Sequence, residues 1–167
     1  MTPIRILVDA DACPVKDEVY KVAWRLTVPV SVVSNARIRL PEHPQITGIV
    51  VSDAFDAADD WIAERADARA VVITGDILLA DRCLKAGATV IAHNGRAFTL
   101  ASIGSAIATR AIMADLRVGA SGNKDAITGG PAPFAKTDRS RFLQALDEAL
   151  VRLARGVSSD RARSLSP

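Results

Sequence analysis

The chain has 167 residues, 49% of them apolar, a formal net charge of +2, two cysteines and two histidines. That is enough to bury a core without disulfide or metal staples, and too few Cys and His to compose a zinc-ligand pattern. No apolar run approaches the ~20 residues of a membrane span and no signal-peptide pattern opens the chain, so a soluble cytoplasmic protein is expected.

The first predicted element is the run Ile4 to Val8, whose apolar, partly β-branched character is that of a strand buried on both faces. It ends in Asp9 and Asp11. At the carboxyl end of a strand in a parallel α/β sheet, side chains face the crevice where ligands bind. If the chain stays extended, the two acids point the same way, and like charges so close favour a divalent cation or a shared proton. Capping of the next helix is the alternative role for Asp11. Pro14 fits the first helical position. Val15, Val19, Val22, Ala23 and Leu26 then give a helix over residues 14 to 27, with Lys16 able to reach a phosphate or a carboxylate. Cys13 lies at that helix start without a nearby His to act as its base.

Val30 to Val33 is the second predicted strand, ending at Ser34 and Asn35, and Ile46 to Val51 the third. Phe55, Ala58, Ile62 and Ala66 space as the apolar stripe of a second helix, which puts Asp56 and Asp59 on one face near its start, with Asp53 as N-cap. Ala70 to Thr74 is another apolar strand and runs into Gly75-Asp76. Leu79, Ala80, Cys83 and Leu84 form the following helix, and Ala88 to Ala92 the fifth strand, closed by a loop that contains His93. This alternation predicts an α/β fold with a mostly parallel sheet of about five strands, helices on both faces and additional C-terminal helices.

Leu100 to Leu116 is helical by spacing. A long loop follows, in which Gly129 and Gly130 can offer backbone N–H groups to an anion, although without the spacing of a P-loop. A final helix opens near Asp138, with Thr137 as N-cap and Phe142, Leu146, Leu150 and Leu153 as its stripe. Residues 1 to 155 are read as one domain and the Ser- and Arg-rich residues 156 to 167 as a disordered tail. Residues 1 to 90 carry 10 Lys and Arg against 13 Asp and Glu, whereas residues 91 to 167 carry 11 against 6. An acidic pocket beside a basic region suits a metal site that works on a phosphate-bearing substrate.

Asp9, Asp11, Asp76 and an acid of the second helix form an oxygen-only set suited to Mg²⁺ or Mn²⁺, with metal-assisted phosphoester cleavage as the matching chemistry. Two families have comparable acids. Asp9-Ala10-Asp11 with Gly75-Asp76 through Asp81 resembles the signature of haloacid-dehalogenase-like phosphatases, in which the first Asp is a nucleophile. Those enzymes insert a flap after the first strand and use a Lys before the last acidic motif, whereas here Pro14 follows at once and no Lys lies between Lys21 and Lys85. The closer resemblance is to PIN-like metal-dependent ribonuclease domains, and within them to the YaiI/YqxD family of uncharacterised bacterial proteins. It rests on Val8 to Lys16, Phe55 to Asp59, Thr74 to Ile77 with Leu79-Ala80, and Thr128 to Pro131 with Asp138, Arg139 and Phe142.

That resemblance implies a PIN-like fold. Asp9, Asp56 or Asp59, and Asp76 fall in the positions of the acids of that superfamily. Taken with the reading of the residues themselves, Asp9, Asp11 and Asp76 are expected to serve catalysis, the same three with Asp56 and Asp59 to hold Mg²⁺ or Mn²⁺, and Lys16, Asn35, Gly129, Gly130 and Arg139 to meet the substrate, RNA or another phosphate-bearing molecule. A nucleic-acid or protein-binding module without turnover is the remaining alternative.

Overall fold

The computed structural model describes residues 3 to 11, 13 to 119 and 134 to 164. Gly129 and Gly130 therefore lie outside the described residues. Five strands, β1 (Arg5–Asp9), β2 (Val30–Ser34), β3 (Ile46–Val50), β4 (Ala70–Ile73) and β5 (Thr89–Ile91), form one sheet in the order β3-β2-β1-β4-β5, with every pair parallel. The helices are α1 (Lys16–Leu26), α2 (Ala57–Arg65), α3 (Ile77–Lys85), α4 (Leu100–Gly119) and α5 (Lys136–Ser164).

Alternation along the strands divides the core into two layers. Ile6, Val8, Val30, Val32, Val71 and Ile73 face α1 and α5, where they meet Val19, Val22, Phe142, Leu146 and Leu150. Leu7, Val33, Val72 and Val90 face the other way, against Ile62 of α2, Leu79 and Cys83 of α3 and Ile103 of α4. With both faces covered, the central strands need no polar positions, and the four residues of β4 are all fully buried.

The order of the strands creates the crevice. From β1 the chain leaves for α1 on one face and pairs next with β2, whereas from β4 it leaves for α3 on the other face and pairs next with β5. Between the neighbours β1 and β4 the winding therefore reverses, and their carboxyl ends are not bridged by a crossover. Open α/β sheets bind ligands at such a point.

Several helix boundaries differ from expectation, each for a local reason. Helix α1 begins at Lys16 rather than at Pro14. Val15 is its N-cap and has no capping side chain, so Asp11 does not cap it; Pro14 belongs to the preceding turn. Helix α2 begins at Ala57, and its N-cap is Asp56 rather than Asp53, in the left-handed conformation with φ 64°. Phe55 consequently stands outside the helix and is 93% exposed, so the apolar stripe of α2 does not include it. At the start of α5, Lys136 precedes Thr137, and Asp138 accepts a hydrogen bond from the Ala135 N–H at 2.8 Å. That helix extends to Ser164, into the segment for which disorder is expected, and no proline interrupts it before Pro167.

No helix among the described residues is long and apolar enough to cross a membrane.

The contrast between Phe55 and Ile62 is testable by chemical denaturation. Ile62→Ala, at a fully buried site, is expected to cost about 2–5 kcal/mol, and Phe55→Ala to change stability by less than about 0.5 kcal/mol. A large loss on truncating Phe55 would show that it belongs to the core.

Candidate functional site

Asp9 is the last residue of β1 and is paired with Val33 in the sheet register, which directs it to the face covered by α2 and α3. Only 9% of it is exposed. Its Oδ2 accepts a hydrogen bond from Thr74 Oγ1 at 2.9 Å, and Thr74, one residue beyond β4, is fully buried. Thr74 Oγ1 in turn accepts from the Asp76 N–H at 3.0 Å. Asp76 caps α3, its Oδ1 accepting from the Leu78 and Leu79 N–H groups at 2.8 and 3.2 Å. A continuous series of hydrogen bonds thus runs from the first turn of α3 through Asp76 and Thr74 to Asp9, across the crevice between β4 and β1.

Asp59 joins from the α2 side. Burial, followed by the charges of Asp76, Asp9 and Asp56, holds its carboxyl up to about 6, against a smaller opposing pull from Arg82. Burial also raises Asp9, offset in part by the Thr74 hydroxyl and by a hydrogen bond from the Asp11 backbone, while the charges of Asp11 and Asp76 push it further up. Acids from β1, α2 and the β4–α3 connection therefore share one electrostatic environment. The cation that opposes the shift of Asp59, Arg82, is engaged by Asp60 at 2.9 Å across α2 and α3.

Asp11 does not continue the strand. It lies exposed in the turn after β1, so the extended geometry that would align it with Asp9 ends there, although Asp11 still acts on Asp9 through its backbone N–H and its charge. Asp56 is exposed and leaves its helix uncapped by its side chain. Among the described residues no three His, Cys, Asp or Glu side chains stand close enough together to hold a metal ion as they are placed.

The expected substrate contacts are dispersed. Asn35 is exposed immediately after β2, on the same carboxyl edge. Lys16 is on the first turn of α1, on the opposite side of the sheet from α2. Arg139 is occupied: its Nη1 donates to the Pro14 carbonyl at 2.9 Å and to Glu18 Oε1 at 3.1 Å, and its guanidinium lies 4.9 Å from the Phe134 ring centre. Glu18 is buried and its Oε2 has no partner among the described residues. Arg139 thus fastens the start of α5 to the turn that carries Asp11.

Thr74 and Glu18 were not singled out in the sequence. A Thr between an apolar strand and a Gly-Asp pair is the signal that could have found the first; nothing local marks the second. His93 sits behind Gly75, where a Cβ would stand 3.3 Å from His93 Cε1, so a glycine at this position lets the two loops approach. Burial lowers the His93 pKa, and its buried Nε2 has no partner among the described residues. Cys13 is buried and its thiol is pushed up, the reverse of an activated nucleophile.

Residues 7–152 match the sequence pattern of a family described as uncharacterised bacterial proteins, YaiI/YqxD. The chain belongs to the YaiI/YqxD family. Relatives include a UPF0178 protein of Sphingopyxis alaskensis, 67% identical over 153 residues that cover 92% of this chain and 97% of the relative. A UPF0178 protein of Nitrobacter winogradskyi is 57% identical over 159 residues, covering 95% and 98%. Another, from Bradyrhizobium diazoefficiens, is 57% identical over 154 residues, covering 92% and 89%. No solved structure matches the chain. The stretch matched to the YaiI/YqxD family runs from the middle of β1 through the other four strands and contains each of the acids described above.

The raised pKa of Asp59 has a thermodynamic consequence. An acid whose folded value lies above its unfolded value binds more protons when folded, so its contribution to stability falls as pH rises from about 4 to about 6. Asp59→Asn removes that contribution. In metal-free buffer, the melting temperature of the variant relative to the parent is therefore expected to rise across this interval and then level off. A constant difference from pH 4 to 7 would show that Asp59 is not under strain.

Proposed function

We propose that this protein is a Mg²⁺- or Mn²⁺-dependent nuclease of PIN-like type that acts on RNA. The observation that carries the reading is the set of acids from three separate elements at the point where the sheet's winding reverses. Two of these acids, Asp9 and Asp59, are raised above their ordinary values, first by burial and then by neighbouring carboxylates, Asp11 and Asp76 for Asp9, and Asp76, Asp9 and Asp56 for Asp59. Such an arrangement costs stability, and a hard cation is the partner that relieves it.

The donor chemistry fits. Carboxylate oxygens are available from Asp9, Asp59 and Asp76, with Asp11 and Asp56 exposed at the rim. Asp76 Oδ2 makes no hydrogen bond among the described residues, whereas its Oδ1 is held by α3. When bound, the cation supplies a water of lowered pKa and neutralises charge that develops on the phosphate. The chain's own part is to fix Asp9 through Thr74, to aim Asp76 through the α3 cap, and to keep Asp59 close enough for closure of the set. The shift required of Asp59 and Asp76 is a rearrangement between the first turns of α2 and α3, two helices that the pair of Asp60 in the first turn of α2 and Arg82 in the last turn of α3 already joins.

The six residues 10 to 15 that link β1 to α1 include Pro14 and Val15 of the turn, and leave no space for a flap over the crevice. This favours water over Asp9 as the attacking group. The test uses short single-stranded RNA, single-stranded DNA and a phosphomonoester, with Mg²⁺, Mn²⁺ or chelator. RNA cleavage that requires metal and falls by about 100-fold or more in Asp9→Asn and Asp76→Asn is expected, the equivalent of a few kcal/mol of transition-state stabilisation. A phosphoaspartate trapped on Asp9 by rapid denaturation during turnover, or its mimic formed with a fluoride complex of beryllium, would identify a phosphatase-type nucleophile, whereas direct attack by water leaves no covalent intermediate. Folded protein without metal-dependent cleavage of any substrate would identify a binding module.

A further inference from the structure

On the α1 side of the same sheet edge, a cleft of about 590 Å³ opens between the first turns of α1 and the connection from β2 to β3. Lys16 and Tyr20, one helical turn apart, line it from α1, and Arg39 and Leu40 from the connection. The connection is anchored. Leu40 packs on the α1-side core and lies so close to β3 that a Cβ at Gly48 would stand 2.7 Å from Leu40 Cδ1. Arg39 is therefore held beside α1 by a seated neighbour.

Neither cation is spent on an ion pair: among the described residues, no salt bridge involves Lys16 or Arg39. Asp17 and Glu42 also line the cleft without pairing to them. Tyr20 is only 5% exposed, and its hydroxyl makes no hydrogen bond among the described residues. Burial, then Asp17, then the Cys13 thiol push its pKa up to about 12, so the phenol remains a donor at neutral pH. The cleft thus combines a guanidinium and an ammonium outside any ion pair with the hydroxyl of a largely buried tyrosine, around a space of ligand size.

We propose that this cleft is a phosphate-binding subsite in which Arg39 and Lys16 take the phosphate oxygens and Tyr20 donates a hydrogen bond. Resting on the nuclease reading, the phosphate belongs to a single-stranded nucleic acid that crosses the carboxyl edge, one or more nucleotides from the group held at Asp9. The two sites are neighbours: the Cys13 thiol senses the charges of Lys16 and of Asp9 alike. Asp17 and Glu42 bring the formal charge of the lining to zero, which favours the single charge of a diester over the double charge of a free phosphate.

The experiment measures anisotropy of a labelled single-stranded hexanucleotide in chelator, where no turnover occurs, on an Asp9→Asn, Asp76→Asn background that reduces repulsion at the acidic site. Arg39→Gln and Lys16→Gln are each expected to weaken binding about 10-fold and to lower the slope of log K against log salt by about 0.7, the share of one single-strand phosphate contact. Tyr20→Phe should weaken binding a few-fold without changing that slope. Arg39→Lys, which keeps the charge but loses the fork, should restore the slope and only part of the affinity. Inorganic phosphate is titrated in parallel; if it binds tightly, depends on Arg39 and Lys16, and leaves strand affinity independent of them, the subsite stands and its source is free phosphate. If Arg39→Gln and Lys16→Gln alter neither strand binding, salt slope nor phosphate binding, the subsite is overturned. That result is separable from failure of the nuclease reading, which is decided by metal-dependent cleavage in the unmodified chain and its Asp9 and Asp76 variants.

Discussion

The hydrogen bond from Thr74 to Asp9 is the contact on which the rest of the edge depends. An ionised carboxylate buried at the end of a strand needs a donor to offset lost hydration. Thr74 provides it from the neighbouring strand, at the level where β1 and β4 cease to pair. Because the same hydroxyl accepts from the Asp76 backbone, and Asp76 caps α3, the position of Asp9 is coupled to the start of a helix on the opposite strand's connection. The crevice is therefore set by backbone geometry and by three successive hydrogen bonds, with no long flexible side chain among them.

Around that series the molecule accumulates charge of one sign. Asp59 is drawn against Asp76 and Asp9 although nothing in the core requires an acid there, and Asp56 occupies a left-handed conformation that disfavours a non-glycine residue. Local conflicts of this kind, in a chain whose strands and stripes are otherwise consistent, are what the proposed metal site would account for. On the opposite face of the sheet Arg139 joins α5 to α1 through Glu18 and to the turn after β1 through the Pro14 carbonyl.

The sheet was legible because its signal is local: four- to six-residue β-branched runs that end in Asp, Asn or Gly mark parallel buried strands, and the Phe142, Leu146, Leu150 spacing marks a buried helix face. Asp9 and Asp76 were legible for the same reason, being strand-end acids. Asp59 entered through its spacing from Asp56 on one helix face and through the family resemblance, whereas its closeness to Asp76 depends on the tertiary placement of α2 beside α3. The extended geometry expected for Asp9 and Asp11 failed because the chain turns after Asp9, which no periodicity over two residues can reveal. Phe55 misled by matching a helical stripe, because the left-handed Asp56 separates it from the helix, which begins one residue later at Ala57. Arg139 matched a family motif, yet its partner, Glu18, lies 121 residues away and carries no pattern of its own.

The central claim is that Asp9, Asp59 and Asp76 gather around one hard cation. Paramagnetic broadening of amide resonances by sub-stoichiometric Mn²⁺ measures this directly, because the effect is confined to groups near the ion. The account predicts that amides of residues 9 to 11, 56 to 60 and 74 to 77 broaden first and together, and that Mg²⁺ restores them. Broadening centred instead on the exposed acids Asp17, Glu42 or Glu64, with the β1 and β4 ends unaffected, would contradict it.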